Sequence, residues 1–412
     1  MLLFYDTKNV AGRHSLAAAP SVRAIWPVNQ FRLRGELVSV HEAVSIIEPW
    51  RALCDDLAEE NPFFEPWALA PVLTQFADEK VQLACIWRGA GREQLVGFAP
   101  VRLMRGYARL PISYWATWMH PHCFYAAPLI KRGHEKAALG ALFELLCDGP
   151  HGQAMLRLAH IASEGPIAAA ATGAAYEEDR HHYAVGAFSR AALFAGGDGA
   201  PNPDASLSKK KQKELRRQRS RLEERGKVSV RILTDESECA RWTQEFLALE
   251  SKGWKGQRGT SLNSFPQHAD WFRAVIKGAF RAGKLKFICL DLDERPVAML
   301  VSCGARTSFS LKTCYDPEFA RYSPGVLLEL ENTKGLLSDP AFEWMDSCAS
   351  SDHPMINGLW KDRRTITGVN VSSTAPAKKA LVCLCHSLEK MRALLPAGLP
   401  APAPGGGRRH DL

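Results

Sequence analysis

Apolar side chains alternate along residues 31–40, the period of a half-buried strand, and then recur at helical spacing through Val44, Ile47, Leu53 and Leu57. A strand followed by a helix over 41–59 is predicted. Asn61-Pro62 reopens the chain into residues 64–76, after which the apolar runs 81–87 and 95–103 flank Gly89-Ala90-Gly91-Arg92, a hairpin signature. The aromatic-rich stretch 113–130 follows. After it come a helix from about 134 to 147, a strand at 153–161, another helix and a strand near 183–188.

The second half repeats this order. A basic helix over 209–225 stops at Gly226, and 228–232 alternates as a strand. Thr234 or Asp235 caps a helix with Trp242, Phe246 and Leu249 on one face, and another helix spans about 268–281 before Gly283. Strands at 284–291 and 296–304 close around Asp293-Glu294, with Val297, Met299, Val301 and Cys303 sharing a face, and the alternation continues through 308–315. A loop, a helix at about 323–337, strands at 342–347 and 365–371 and a helical run over 377–395 complete the pattern. Two copies of one unit of about 200 residues fit this order, α/β (α+β) in class, each a mixed, mainly antiparallel sheet flanked by helices.

The breaker-rich run from Ala195 to Asp204 contains Gly196, Gly197, Gly199, Pro201 and Pro203 and marks the boundary. The expected organisation is an N-terminal extension over 1–30, a first domain over 31–195, a linker over 196–207, a second domain over 208–395 and a flexible tail over 396–412. With 412 residues, 46% hydrophobic and 23% charged, the chain can fill two sizeable cores and is unlike a disordered or fibrous protein. No stretch approaches the roughly 18 apolar residues of a membrane-spanning helix, and the N-terminus lacks the order of a secretory signal, so a cytoplasmic protein is expected. Eleven cysteines, an odd number scattered through apolar runs, read as reduced core thiols. The net charge of +8 resides in 208–231, where eleven Lys and Arg stand against Glu214, Glu223 and Glu224. The rest of the chain is formally neutral.

Residues 308–330, SFSLKTCYDPEFARYSPGVLLEL, carry the most chemistry. A strand ends at Tyr315, a loop bears Asp316, Pro317 and Arg321, and Ser323-Pro324-Gly325 opens an apolar helix with Val326, Leu327 and Leu330. Ser suits the cap, Pro the first helical turn, and Gly admits another group close to the backbone. Free N–H groups and the positive dipole end suit a pyrophosphate, although a well-capped helix would carry the same residues.

This passage continues as Phe342-Glu343-Trp344-Met345-Asp346-Ser347-Cys348 and His353-Pro354-Met355-Ile356-Asn357. It resembles the acetyltransferase domain of the GNAT superfamily, in the CelD-like branch associated with cellulose and other bacterial polysaccharide biosynthesis. Asn61-Pro62-Phe63-Phe64 and the hairpin end Val96-Gly97-Phe98-Ala99-Pro100 are similar to the N-terminal part of that branch, and the resemblance spans roughly 31–371. It implies tandem GNAT-like units, acetyl-CoA or another acyl-CoA as co-substrate, and an amine acceptor. The common GNAT phosphate loop reads Arg/Gln-x-x-Gly-x-Gly/Ala. Here Arg321-Tyr322-Ser323-Pro324-Gly325-Val326 keeps only the Arg and a displaced Gly. Arg321, Tyr322, Ser323, Gly325 and Val326 are the expected donor-binding residues.

A splayed parallel pair, 308–315 and 342–347, would leave strand edges for pantetheine and place a thioester near Tyr315 and Asp346. Asp346 is the first candidate for the base that takes the amine's proton, because Trp344 and Met345 would raise its pKa; capping of the following turn is the other use for it. His353 is the second candidate base, and Tyr315 the candidate donor to the departing thiolate. Lys312, on the opposite strand face, is expected to meet an acidic substrate group or solvent. The first half lacks a Ser-Pro-Gly opening and is expected to shape the acceptor pocket, with Trp118 and His122 as substrate-binding candidates and core packing as the competing use of such aromatics. His120-Pro121-His122-Cys123 has no second spaced ligand pair and Cys383-Leu384-Cys385-His386 reads as core, so no metal site is expected.

The expected function is acyl-CoA-dependent N-acyl transfer, acetyl first, to an amino-sugar or cell-envelope polysaccharide precursor, an acceptor class implied by the resemblance alone. One alternative is an aminoacyl-tRNA-dependent transferase of the Fem type, with the basic helix as docking site. Another is a non-catalytic protein that holds nucleic acid or an anionic membrane surface through 208–231. A solvated linker helix accounts for the same charges.

Overall fold

The computed structural model describes residues 26–28, 33–107, 110–196 and 207–394. Most of the expected extension, most of the linker and the whole tail lie outside the described residues. In chain order the elements begin with β1 (Trp26–Val28), β2 (Leu33–Ser39), α1 (Ile47–Cys54), α2 (Pro66–Phe76), β3 (Val81–Arg88), β4 (Gln94–Tyr107), β5 (Leu110–Thr117), β6 (Leu129–Ile130), α3 (Glu135–Phe143), β7 (Met155–Ala162), α4 (Pro166–Glu177) and β8 (His182–Phe194). They continue with α5 (Lys209–Glu223), β9 (Val228–Ile232), α6 (Cys239–Lys252), α7 (Trp254–Gln257), α8 (Pro266–Arg281), β10 (Leu285–Leu292), β11 (Arg295–Gly304), β12 (Thr307–Tyr315), α9 (Pro324–Leu337), β13 (Trp344–Asp346), α10 (Pro354–Leu359), β14 (Asp362–Ser372) and α11 (Pro376–Leu394).

Two compact units result, and they are not a simple cut near residue 195. Unit 1 takes Gly368–Cys385 from the C-terminal part of the chain, and unit 2 takes Glu65–Gln75 from the N-terminal part. Each unit contains a mixed sheet flanked by helices. In unit 1, β2, β3, β4 and β5 are antiparallel neighbours, and β7 runs parallel to β5 through Trp115↔Leu156 and Ala116↔Arg157. Its core is anchored by Trp50, which stacks on Phe98 at 4.3 Å and donates Nε1 to the Phe64 carbonyl at 2.9 Å.

Unit 2 has the same strand plan. β9, β10, β11 and β12 are antiparallel, β13 runs parallel to β12, and β8 pairs with β13. Phe246 of α6 packs on Phe272 of α8 and on Phe287 of β10, covering one face. Leu215 and Leu222 of α5, with Leu327 and Leu328 of α9, bury Ile288, Leu290 and Leu300 on the other. The central strands β10 and β11 are accordingly apolar along most of their length, as double burial requires. The β10–β11 turn has Asp293 and Glu294 both at positive φ, 48° and 65°, and the Asp293 carboxylate accepts the Lys227 N–H at 2.8 Å.

Several expectations were coarser than the chain. The helix expected over 41–59 is a 3₁₀ stretch over Val40–Ile46 followed by α1, whose first turn holds Pro49. The strand expected over 342–347 shortens to β13. All eleven cysteines are free thiols, eight of them buried. No helix among the described residues is long and apolar enough to cross a membrane.

Candidate acyl-donor cleft

β12 and β13 pair only through Thr307↔Trp344, Ser308↔Met345 and Phe309↔Asp346. Beyond Asp346 the chain leaves β12: the Ser347 N–H donates to the Ala191 carbonyl at 3.1 Å, and Cys348 turns at φ 52°. Residues 310–315 of β12 stay bonded to β11, with a bulge where Val301↔Lys312 gives way to Ser302↔Ser310. Their other edge has no strand partner among the described residues.

The loop that follows is held from below. Asp316 is buried and accepts Arg295 Nη2 at 2.7 Å, Lys252 Nζ at 3.1 Å and the Glu318 N–H at 3.1 Å. Burial alone would raise its pKa; these donors hold it below the usual carboxylate range. A 3₁₀ turn over Pro317–Tyr322 buries Phe319 and Tyr322 in the core, so Tyr322 shapes the loop while Arg321 lies exposed, its guanidinium 4.7 Å over the Tyr322 ring. Ser323 corrects the simple cap expected of it. Its side chain makes no capping bond, and its backbone is left-handed (φ 53°, ψ 48°) directly before a proline, a combination that side chains resist. The Ser323 carbonyl accepts Val326 N–H at 2.9 Å and Leu327 N–H at 3.1 Å. Pro324 has no N–H, so Gly325, itself buried, carries the first N–H of α9, at a position that has no partner within the helix. A Cβ on Gly325 would lie 3.5 Å from Tyr315 Cδ1, while Val326 is half-buried against the core. Tyr315 itself is 41% exposed at the end of β12.

Asp346 is not raised in pKa, contrary to expectation. Burial pushes it up, but Arg190 and Arg364 more than offset this and hold it below the ordinary value. Arg190 Nε lies 2.6 Å from Oδ1 and its Nη2 2.8 Å from Oδ2; Arg364 Nη1 lies 3.0 Å from Oδ2, and the Cys348 N–H donates to Oδ1 at 2.9 Å. A carboxylate so engaged anchors the point where the strands part. His353 caps α10, its Nδ1 accepting the Ile356 N–H at 3.5 Å.

The sequence reading missed a group around Lys312. Burial, helped by the charge of Lys255, brings the Lys312 amine down to about 8. Lys255 Nζ is 2.7 Å from Glu250 Oε1, and Glu250 Oε2 accepts the Leu262 N–H at 2.8 Å. His268, in the first turn of α8, is lowered by burial and by the Lys312 charge. Cys348 also acts on Lys312, so the group borders the parting of β12 and β13. Lys312 therefore sits among titratable groups rather than facing open solvent.

In unit 1 the matching opening beside β5 is filled by the chain itself. Thr117 Oγ1 accepts the Ala159 N–H at 2.8 Å, the Ala126 N–H donates to the His160 carbonyl at 3.0 Å, and Tyr125 Oη accepts the Ala162 N–H at 3.1 Å. The following helix, α3, carries Glu135 in its first turn, whose Oε1 accepts the Gly133 N–H at 2.9 Å, a carboxylate where an anion would have to sit. Trp118 and His122 are buried in this packing, His122 5.8 Å from Phe76. His120 Nδ1 accepts the His122 N–H at 3.2 Å, and burial takes the His120 pKa down to about 3. Among the described residues no group of His, Cys, Asp and Glu is placed to hold a metal ion.

Residues 209–350 match the family model described as the acetyltransferase (GNAT) domain. No curated protein matches the chain. Among solved structures, a domain described as the C-terminal part of a lysylphosphatidylglycerol synthetase from Agrobacterium fabrum aligns at 9% identity over 84% of this chain and 96% of its own, with a TM-score of 0.48. A conserved protein of unknown function from Bacteroides thetaiotaomicron aligns at 12% identity over 85% and 100%, TM-score 0.47. A tandem GNAT protein from the clavulanic acid biosynthesis pathway aligns at 14% identity over 84% and 99%, TM-score 0.40. The chain carries, in residues 209–350, an acetyltransferase domain of the GNAT superfamily.

Proposed function

We propose that unit 2 transfers an acyl group from acyl-CoA, acetyl-CoA first among the donors, to an amine. One observation carries the reading: β13 parts from β12 after three paired residues, at the end of β12 that leads into the Gly325 N–H. The amides of pantetheine then pair with the open edge of 310–315, and the pyrophosphate rests on the start of α9 with Arg321 beside it. The amine must reach the thioester neutral. We place the proton acceptor in the Lys312–His268 group, both lowered in pKa, rather than at Asp346 or His353. The amine attacks the thioester carbonyl, the C–S bond breaks, and Tyr315 gives its proton to the leaving thiolate.

The CelD-like branch and an amino-sugar or cell-envelope polysaccharide precursor as acceptor rest on the sequence resemblance. A cytoplasmic site agrees with eleven free thiols. Native mass spectrometry of the purified protein, followed by thiol release from acetyl-CoA with amino-sugars, tests the proposal. Retained CoA and acceptor-dependent thiol release are expected. Transfer from aminoacyl-tRNA with none from acyl-CoA would replace the donor.

A further inference from the structure

β9 is the edge strand of its sheet and pairs only with β10 among the described residues. Val228, Val230 and Ile232 stand opposite Leu292, Leu290 and Ile288, whose side chains lie in the core beneath α5 and α9, so all three share that face. Val228 packs into the core, but Val230 and Ile232 stay 38% and 56% exposed. On the opposite face Arg231 is fully engaged, stacked 4.7 Å over Trp242 and paired with Asp291.

α5 covers this face through Leu215 and Leu222. On one side of that stripe Arg219 reaches Glu331 of α9 at 2.7 Å. At about 100° per residue, Lys211 and Arg221 stand on the other side of that stripe. Lys209, Lys210, Lys211 and Lys213 are exposed and make no ion pair among the described residues. Free cations of α5 and two exposed branched aliphatic side chains of β9 thus belong to one helix–turn–strand segment.

We propose that α5 and the β9 edge dock this protein on an anionic phospholipid bilayer. Charge alone would suit any polyanion. Branched aliphatic side chains add nothing to a phosphate backbone, whereas a bilayer surface takes both, anionic headgroups on the lysines and the acyl boundary on Val230 and Ile232. The inference is independent of acyl transfer, and its test reads binding.

Flotation is measured with vesicles of about one-third phosphatidylglycerol in phosphatidylcholine, and with phosphatidylcholine alone, over a salt series and with poly(U) as competitor. The full chain floats with the anionic vesicles only, and salt releases it. Replacing Lys209, Lys210, Lys211 and Lys213 by Gln weakens partitioning about tenfold or more, and Val230→Ser with Ile232→Ser, exposed positions that leave the charge intact, weakens it by a similar factor. Circular dichroism melting confirms that both variants fold. Equal flotation on neutral vesicles, no flotation, or poly(U) displacing a protein insensitive to the Val230/Ile232 change overturns the proposal. So does doubled mass in light scattering that only the Val230/Ile232 variant loses, with flotation unchanged, since the edge would then serve a second copy.

Discussion

Arg190 of β8 and Asp346 of β13 meet out of solvent, with Arg190 Nε 2.6 Å from Asp346 Oδ1 where β13 turns away from β12. Arg364, itself 4.2 Å over the Trp344 ring, closes the same carboxylate from β14. The point where β13 parts from β12 is thus held by a buried ion cluster that engages the Asp346 carboxylate on both oxygens.

Asp346→Asn should cost about 3–5 kcal/mol in urea unfolding, since it leaves two buried guanidinium groups without their counter-charge. Because the folded pKa lies below the unfolded value of 3.8, the carboxylate's contribution is present above that value and is lost as pH falls through the folded one. An Asp346→Asn protein of unchanged stability would show that the cluster does not hold the strands.

Glu329 behaves in the opposite sense. It is buried in α9, accepts Asn332 Nδ2 at 3.0 Å, and burial raises its pKa from 4.5 to about 7 against the pull of Lys286. Its contribution is whole below pH 4.5 and is lost as pH rises through about 7. Glu329→Gln should leave stability at pH 4 unchanged and raise it by about 3 kcal/mol at pH 8, the free energy of that pKa change. Parallel stability profiles for the two proteins would contradict this.

Lys312 should give a lysine ε-carbon NMR signal titrating near 8 that disappears in Lys312→Gln. Folding disfavours its charged form, so its stability penalty is full below about pH 8 and fades as pH rises toward 10.5. All lysines titrating near 10.5 would remove Lys312 from the proton-acceptor group.

Much of this was legible locally. β9 was read to the residue because alternation needs only its own five positions, and the start of α9 because Ser323, Pro324 and Gly325 are adjacent. The role of Asp346 was not, since Arg190 lies 156 residues before it and nothing near Trp344 or Met345 announces two guanidinium groups. His268 escaped notice because the approach of α8 to Lys312, which the charge of Lys312 on His268 records, is tertiary. α10 has six residues, too few to show a period. Trp118 and His122, candidates by residue type with core packing as the competing use, are buried, which their own neighbourhood in the sequence does not announce.

Calorimetry with CoA on the wild type, Gly325→Ala and Gly325→Trp tests the donor cleft most directly. A Cβ at Gly325 meets Tyr315 at an ordinary 3.5 Å, so the Ala protein should fold and bind CoA within a few-fold of wild type. The indole of the Trp protein would cover the Gly325 N–H, and CoA affinity should fall at least about a hundredfold in a protein that melts like wild type. A folded Gly325→Trp protein that binds CoA as the wild type does, or a wild type that binds no CoA, would contradict the account.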